Sequence, residues 1–272
     1  MENRNVFNLV FEKTGVLWTL VLSVILSPFA ANAIQHTSAV PIQSGEIRGF
    51  VATLSGGDQV TKYLGIPYAK AARFENPGPP TNWTGVKDMV TTGKACRQVI
   101  YKPYTHFTGV ETIQDMSEDC LNLNVYVPHN SSNLTLPVMV WIHEGTFVYG
   151  SNRLYDGSII ATNGKVIVVS INFRLGVFGF LATGNTAKDL KGNYGLFDQV
   201  QALKWVQENI DKFGGDPNKV TIFGNTVGGA SVSLLCLSPL ANGLFQNAIM
   251  QSGASNAPWA VYSYKDSHKK IR

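Results

Sequence analysis

The chain has 272 residues, 44% of them hydrophobic and 15% charged, with a net charge of +4; that is enough for one sizeable core and excludes a disordered polyelectrolyte. The basic residues are scattered apart from Lys265, Lys269, Lys270 and Arg272 at the end. No basic stripe of the kind that tracks nucleic acid is present.

Arg4 and Lys13 precede an apolar run from Val16 to Leu26, then helix-breaking Pro28 and Ala31-Asn32-Ala33. A basic start, a short apolar run and a small-x-small site predict a secretory signal peptide over residues 1–33. The run is shorter than the ~20 residues of a membrane span, although an uncleaved signal anchor stays open. The remainder, 34–272, is expected to form one domain. An extracellular address suits the sequons at Asn82, Asn130 and Asn133, which lie in Pro/Ser/Asn-rich segments expected to be exposed loops. It also suits three cysteines, which allow one disulfide and leave one thiol over.

Beyond the signal, Glu46–Leu54 and Gln59–Pro67 read as strands joined by Ser55-Gly56-Gly57-Asp58. Residues 94–119, bounded by Cys96 and Cys120, lack periodicity and predict a long loop. Leu121–Val127 alternates as a strand, whereas Pro137–His143 and Val166–Asn172 are continuous apolar runs, as in strands buried on both faces. Val200, Leu203, Val206, Ile210 and Phe213 recur at helical spacing and predict a helix over Leu196–Phe213, stopped by Gly214-Gly215. Val220–Phe223 is a strand, Ala230–Leu237 a helix, and Phe245–Gln251 a further strand. Buried strands alternating with helices predict an α/β fold with a mostly parallel central sheet, antiparallel at its start.

One stretch stands out, Val220-Thr221-Ile222-Phe223-Gly224-Asn225-Thr226-Val227-Gly228-Gly229. A short strand, a glycine-bounded turn and a small-residue helix start have the form of the nucleophile elbow, Gly-x-Ser-x-Gly, of the α/β-hydrolases. Gly65-Ile66-Pro67-Tyr68-Ala69, Ser117–Leu121, Asn172–Gly176, Phe213–Pro217, Gln251-Ser252-Gly253 and Pro258-Trp259-Ala260 follow in order. Together they resemble the type-B carboxylesterases, the family of the cholinesterases and neuroligins, from about residue 40 onward. The wording of Met116–Cys120 and Asn256–Val261 leans towards the cholinesterase branch. The resemblance implies the N-terminal part of an α/β-hydrolase domain. It further implies a Cys96–Cys120 disulfide, and internal ion pairs Arg73–Glu118 and Arg174–Asp198. Cys236, behind the elbow, is expected to be a buried, inert thiol.

Catalysis in this family resembles a triad in which serine attacks, histidine takes its proton, a carboxylate orients the histidine, and backbone N–H groups hold the oxyanion. The acid and the histidine come from the second half of a domain about twice this length, so this chain is expected to be cut before both. His268 reads as a surface residue. Thr226 stands where serine is expected, as a degenerate nucleophile; β-branched threonine is stiff at χ1 and poorly suited to a strained turn. Asn225 stands for the usual glutamate, and Val227 for a small residue whose N–H completes the oxyanion hole. In Trp141–Phe147, Glu144 and Thr146 replace the first and third glycines of the family's loop. Gly145 and Thr146 could still present N–H groups, with Glu144 opposing negative charge; the expectation, however, is a relaxed loop with Glu144 in solvent.

Phe147, Tyr155, Asn225 and Trp259 are the pocket candidates. Val110 stands where cholinesterases carry a cation-binding tryptophan. The sequence therefore predicts an extracellular carboxylesterase-like protein, impaired as a catalyst, that acts by binding a protein partner or a small ester or hydrophobic ligand. A weak ester hydrolase with Thr226 as nucleophile is the alternative. No cofactor and no metal are implied. A chain ending inside the sheet is also expected to be of poor stability.

Overall fold

Runs of β-branched and aliphatic residues build the centre of the molecule. In the computed structural model residues 34–99, 113–129, 131, 135–184, 186 and 188–263 are described; Asn130, Asn133, Val110, His268 and the signal segment lie outside them. The strands are β1 (Val40–Ile42), β2 (Gly45–Arg48), β3 (Phe50–Thr53), β4 (Gln59–Pro67), β5 (Val86–Asp88), β6 (Ala95–Cys96), β7 (Met116–Ser117), β8 (Asn122–Pro128), β9 (Leu136–Ile142), β10 (Ile167–Ile171), β11 (Gly215–Asn225) and β12 (Asn247–Gln251). The helices are α1 (Ser158–Gly164), α2 (Gly176–Phe180), α3 (Tyr194–Asn209) and α4 (Val227–Leu237).

Seven strands form the main sheet in the order β12-β11-β9-β10-β8-β4-β3. The four from β12 to β10 are parallel, with helical segments between them in sequence. The β10–β8, β8–β4 and β4–β3 pairs are antiparallel. This is the α/β-hydrolase arrangement expected from the sequence, antiparallel at its start. Val138, Val140, Ile142, Ile167, Val169, Ile171, Val220 and Ile222 are fully buried, as strands covered on both faces require.

The structure changes four details. The single strand expected over Glu46–Leu54 is split at Gly49: β2 pairs with β1 and β5 in a separate small sheet, while β3 joins β4. A Cβ at Gly49 would lie 2.4 Å from Lys62 O, so the chain crosses between sheets where a side chain would not fit. The loop over 94–119 contains a parallel pair, β6 with β7, beside the Cys96–Cys120 disulfide, whose Cα atoms are 4.9 Å apart. Cys236, expected to be buried, is exposed; α4 turns Val232 and Leu235 to the core and leaves Cys236 and Leu237 outside. The expected helix from Leu196 begins two residues earlier and ends as α3 followed by a 3-10 turn, Ile210–Phe213, capped by Gly214 at φ 83°.

Both ion pairs form. Arg73 binds Glu118 in two hydrogen bonds on the surface. Arg174 and Asp198 are buried; the Arg174 main-chain N–H and Nε donate to Asp198 Oδ2 at 3.0 and 2.8 Å, and Nη2 donates to Oδ1 at 2.7 Å.

Candidate functional site

β11 carries the chain up to Asn225, α4 leaves from Val227, and Thr226 turns between them at φ 54°, ψ −111°. The Thr226 N–H donates to Gln251 O at 2.8 Å, and its carbonyl accepts from the Ala230 N–H at 2.9 Å. The turn is thus fixed both to β12 and to the first helical turn. Gly224 and Gly228 permit it: a Cβ on Gly224 would lie 2.5 Å from the Gly228 carbonyl carbon, and one on Gly228 2.1 Å from Ile142 O. A β-branched residue at positive φ is a strained one, at a cost of about 1–3 kcal/mol. The elbow geometry is therefore retained although its central residue is disfavoured there.

The loop after β9 is strained as well. Gly145, Thr146 and Phe147 take φ values of 121°, 56° and 60°, and Gly145 O accepts the N–H groups of Val148 and Tyr149, each at 2.9 Å. Glu144 does not face solvent, contrary to expectation. It is half-buried; Asn225 Nδ2 donates to its Oε2 at 2.5 Å, and the Tyr155 hydroxyl to its Oε1 at 3.3 Å. Burial and then the Glu144 carboxylate hold the Tyr155 phenol well above its ordinary pKa, which keeps it a donor. The physical reason for the correction lies in Asn225: an amide at that position can donate to a carboxylate, whereas the glutamate it replaces could only repel one.

Behind this cluster, His143 is fully buried and stacked on Phe173 with ring centroids 4.4 Å apart. Its Nδ1 lies 2.7 Å from Glu144 O. A carbonyl only accepts, so Nδ1 carries the proton. Nε2 has no hydrogen-bond partner, and burial lowers the pKa from 6.5 to about 4. The folded protein therefore resists a proton that the unfolded chain takes up as pH falls below about 6.5. The resulting stability is present in full above that pH and is lost as pH falls towards 4, for a total of about 3 kcal/mol. Urea unfolding at pH 7.5 and pH 4 should show this loss, and His143→Gln should flatten it. An unchanged acid slope in the variant would remove His143 as its cause.

A cavity of about 700 Å3 opens in front of the elbow. Thr226, Val227, Thr146, Phe147 and Trp259 all line it, so five of the residues singled out in the sequence meet in one place. Asn225, Tyr155 and Gly145 are not among its lining residues; the first two join Glu144, and Gly145 shapes the loop. The sequence did not single out Phe180, Lys191, Asn193, Leu196 or Leu234, which also line it. They come from α2, the segment before α3, α3 itself and α4; the five-residue α2 has too little periodicity to be read from sequence. Phe147 is held in place by Gly176 N–H, which donates to its carbonyl at 2.7 Å, and by Phe180, with ring centroids 4.8 Å apart. Asn82 is exposed in the segment before β5.

A profile described as the carboxylesterase family matches residues 36–271. The chain is 45% identical to cocaine esterase of Homo sapiens, over 84% of this chain and 43% of that protein. It is 44% identical to cholinesterase of Mus musculus (90% and 41%) and 41% identical to neuroligin-2 of Mus musculus (80% and 30%). It thus spans less than half the length of these relatives. The elbow, the sheet that carries it and the extent of the match lead to one conclusion: the chain belongs to the carboxylesterase family.

Proposed function

We propose that this is an extracellular carboxylesterase-family protein that binds a small ligand or a protein partner through the face around Thr226 and hydrolyses esters poorly. The observation that carries this reading is the Glu144 carboxylate, held against the elbow by Asn225 at 2.5 Å. It places negative charge beside Gly145 and Thr146, where hydrolysis would need groups that stabilise a developing oxyanion. Loss of one oxyanion donor costs on the order of 10² to 10³ in rate, and loss of the nucleophile on the order of 10⁶. The strained Thr226 supports the same reading. Relatives that include a protein named neuroligin-2 as well as named esterases are compatible with a binding role on this scaffold. The predicted signal over residues 1–33 and the exposed Asn82 sequon support a secreted glycoprotein. Among the described residues no helix is long and apolar enough to cross a membrane.

Hydrolysis of an activated aryl ester by the chain and by Thr226→Ala, prepared alike, tests the reading. Equal rates near background are expected. A specific observation favours the second reading, a weak hydrolase, because Thr226 and two of the three oxyanion positions, Thr146 and Val227, share one cavity. A rate that drops to background only in the variant would establish Thr226 as a working nucleophile and overturn the binding proposal.

A further inference from the structure

The sequence contains two Asn-Gly pairs, Asn163-Gly164 and Asn242-Gly243. In such a pair the glycine nitrogen is a close and unhindered nucleophile for the asparagine side-chain carbonyl, because no Cβ stands beside it. All four residues are exposed, yet the fold holds the two pairs differently.

Asn163-Gly164 lies in the last turn of α1. A helical N–H bonds to the carbonyl four residues back, which for Gly164 is that of Ile160. The Lys165 N–H that follows bonds to Ala161 O. To reach the Asn163 side chain, the Gly164 nitrogen has to turn its peptide plane out of the helix, and that breaks the bond to Ile160.

Asn242-Gly243 lies between α4 and β12, just after the 3-10 turn Pro239–Ala241. Among the described residues, neither the Asn242 carbonyl nor the Gly243 N–H takes part in a hydrogen bond. The peptide unit that has to turn is therefore untethered. The bonds on either side of it, Asn242 N–H to Pro239 O at 3.4 Å and Leu244 N–H to Ala241 O at 3.1 Å, keep the flanking chain in place. Gly243 takes φ 77°, and a Cβ there would meet nothing within 4 Å, so no neighbour blocks the rotation or the approach of water.

We infer that Asn242 is a site of spontaneous deamidation in the folded protein, whereas Asn163 is protected. The Gly243 nitrogen gives up its proton to hydroxide and bonds to the Asn242 side-chain carbonyl carbon. The bond from that carbon to the amide nitrogen breaks, and ammonia leaves. Water then opens the succinimide at either carbonyl, giving aspartate, or isoaspartate with one extra carbon in the main chain. Hydroxide and water are the only co-reactants. Either product puts a carboxylate where an amide stood. It does so in the connection between α4, which leaves the elbow, and β12, whose Gln251 O holds the Thr226 N–H. The modification does not depend on whether Thr226 takes part in binding or in hydrolysis.

Incubation of the folded full chain at mildly alkaline pH, followed by peptide mapping with mass spectrometry, tests the assignment. Asn242 should convert about fivefold faster than Asn163, the rate equivalent of the one helix hydrogen bond that protects the latter. Both rates should rise with pH. In denaturant the two should convert at similar rates, since each asparagine precedes a glycine. Asn242→Gln, which would have to close a larger and slower-forming ring, should abolish the change at this position. Gly243→Ala should slow it in the folded chain and in denaturant alike. Asn163 converting as fast as Asn242 in the folded chain, Asn242 remaining an amide, or the same gap surviving in denaturant would each overturn the inference.

Discussion

Gly228→Ala is expected to cost more than about 3 kcal/mol of stability, although helix propensity predicts the reverse. Gly228 lies in the first turn of α4, where alanine would ordinarily be better by about 1 kcal/mol. The new methyl would sit 2.1 Å from Ile142 O and 3.1 Å from His143 O. Ile142 ends the central strand β9, which is paired with β10 on one side and β11 on the other, so its carbonyl cannot swing aside as a flexible side chain could. Either α4 lifts from the sheet or the strand shifts, and in both cases the elbow loses its support. Overpacking of this kind typically costs 1–3 kcal/mol, and more where only backbone can yield. Gly56→Ala is the control, because a Cβ there meets nothing within 4 Å and its stability should stay within about 0.5 kcal/mol of the parent. Chemical denaturation of the three proteins decides the matter. If Gly228→Ala unfolds within about 1 kcal/mol of the parent, the close approach does not hold the elbow.

The same contact explains why so much of the fold was legible. Gly224 and Gly228 mark a turn that needs two missing side chains, and the apolar runs at Pro137–His143 and Val166–Asn172 mark strands covered on both sides. Local pattern and global fold agree there. What the sequence left hidden depends on long-range encounters. Glu144 and Asn225 are 81 positions apart, and each alone reads as a defect: a carboxylate near an oxyanion site, and a missing glutamate. Placed together they form one hydrogen bond. Lys191 was overlooked for a related reason, since a single lysine in a polar segment has no periodicity, and the fold alone brings it to a cavity lined from α2 to the turn at Trp259. Cys236 sits behind the elbow, yet its place four residues after Val232 and one after Leu235 leaves it at the edge of the buried face, a detail that sequence position alone does not reveal.

Asp198→Ala is expected to destabilise the protein by about 3–5 kcal/mol and to loosen the cavity, because it strands a buried cation. Arg174 is 5% exposed and Asp198 fully buried. Apart from three hydrogen bonds to Asp198, the arginine has Nη1 donating to Ala72 O at 3.3 Å and the Tyr194 ring at 5.5 Å. Neither offsets a full charge removed from water. The pair also fixes the segment from Asn172 to Gly176, whose last N–H holds the Phe147 carbonyl at 2.7 Å, so its loss should reach the cavity wall. Stability alone would not show that the ion pair itself is favourable, since two buried charges are costly to desolvate. The double variant Arg174→Met, Asp198→Leu separates these contributions. It should be more stable than Asp198→Ala, because no unpaired charge remains, and the non-additivity should reach about 2 kcal/mol. Asp198→Asn keeps an acceptor for Arg174 but not the charge, and should fall between the parent and Asp198→Ala. A double variant as unstable as the sum of its single changes would mean that the two side chains act independently, and that something else holds Phe147 against the elbow.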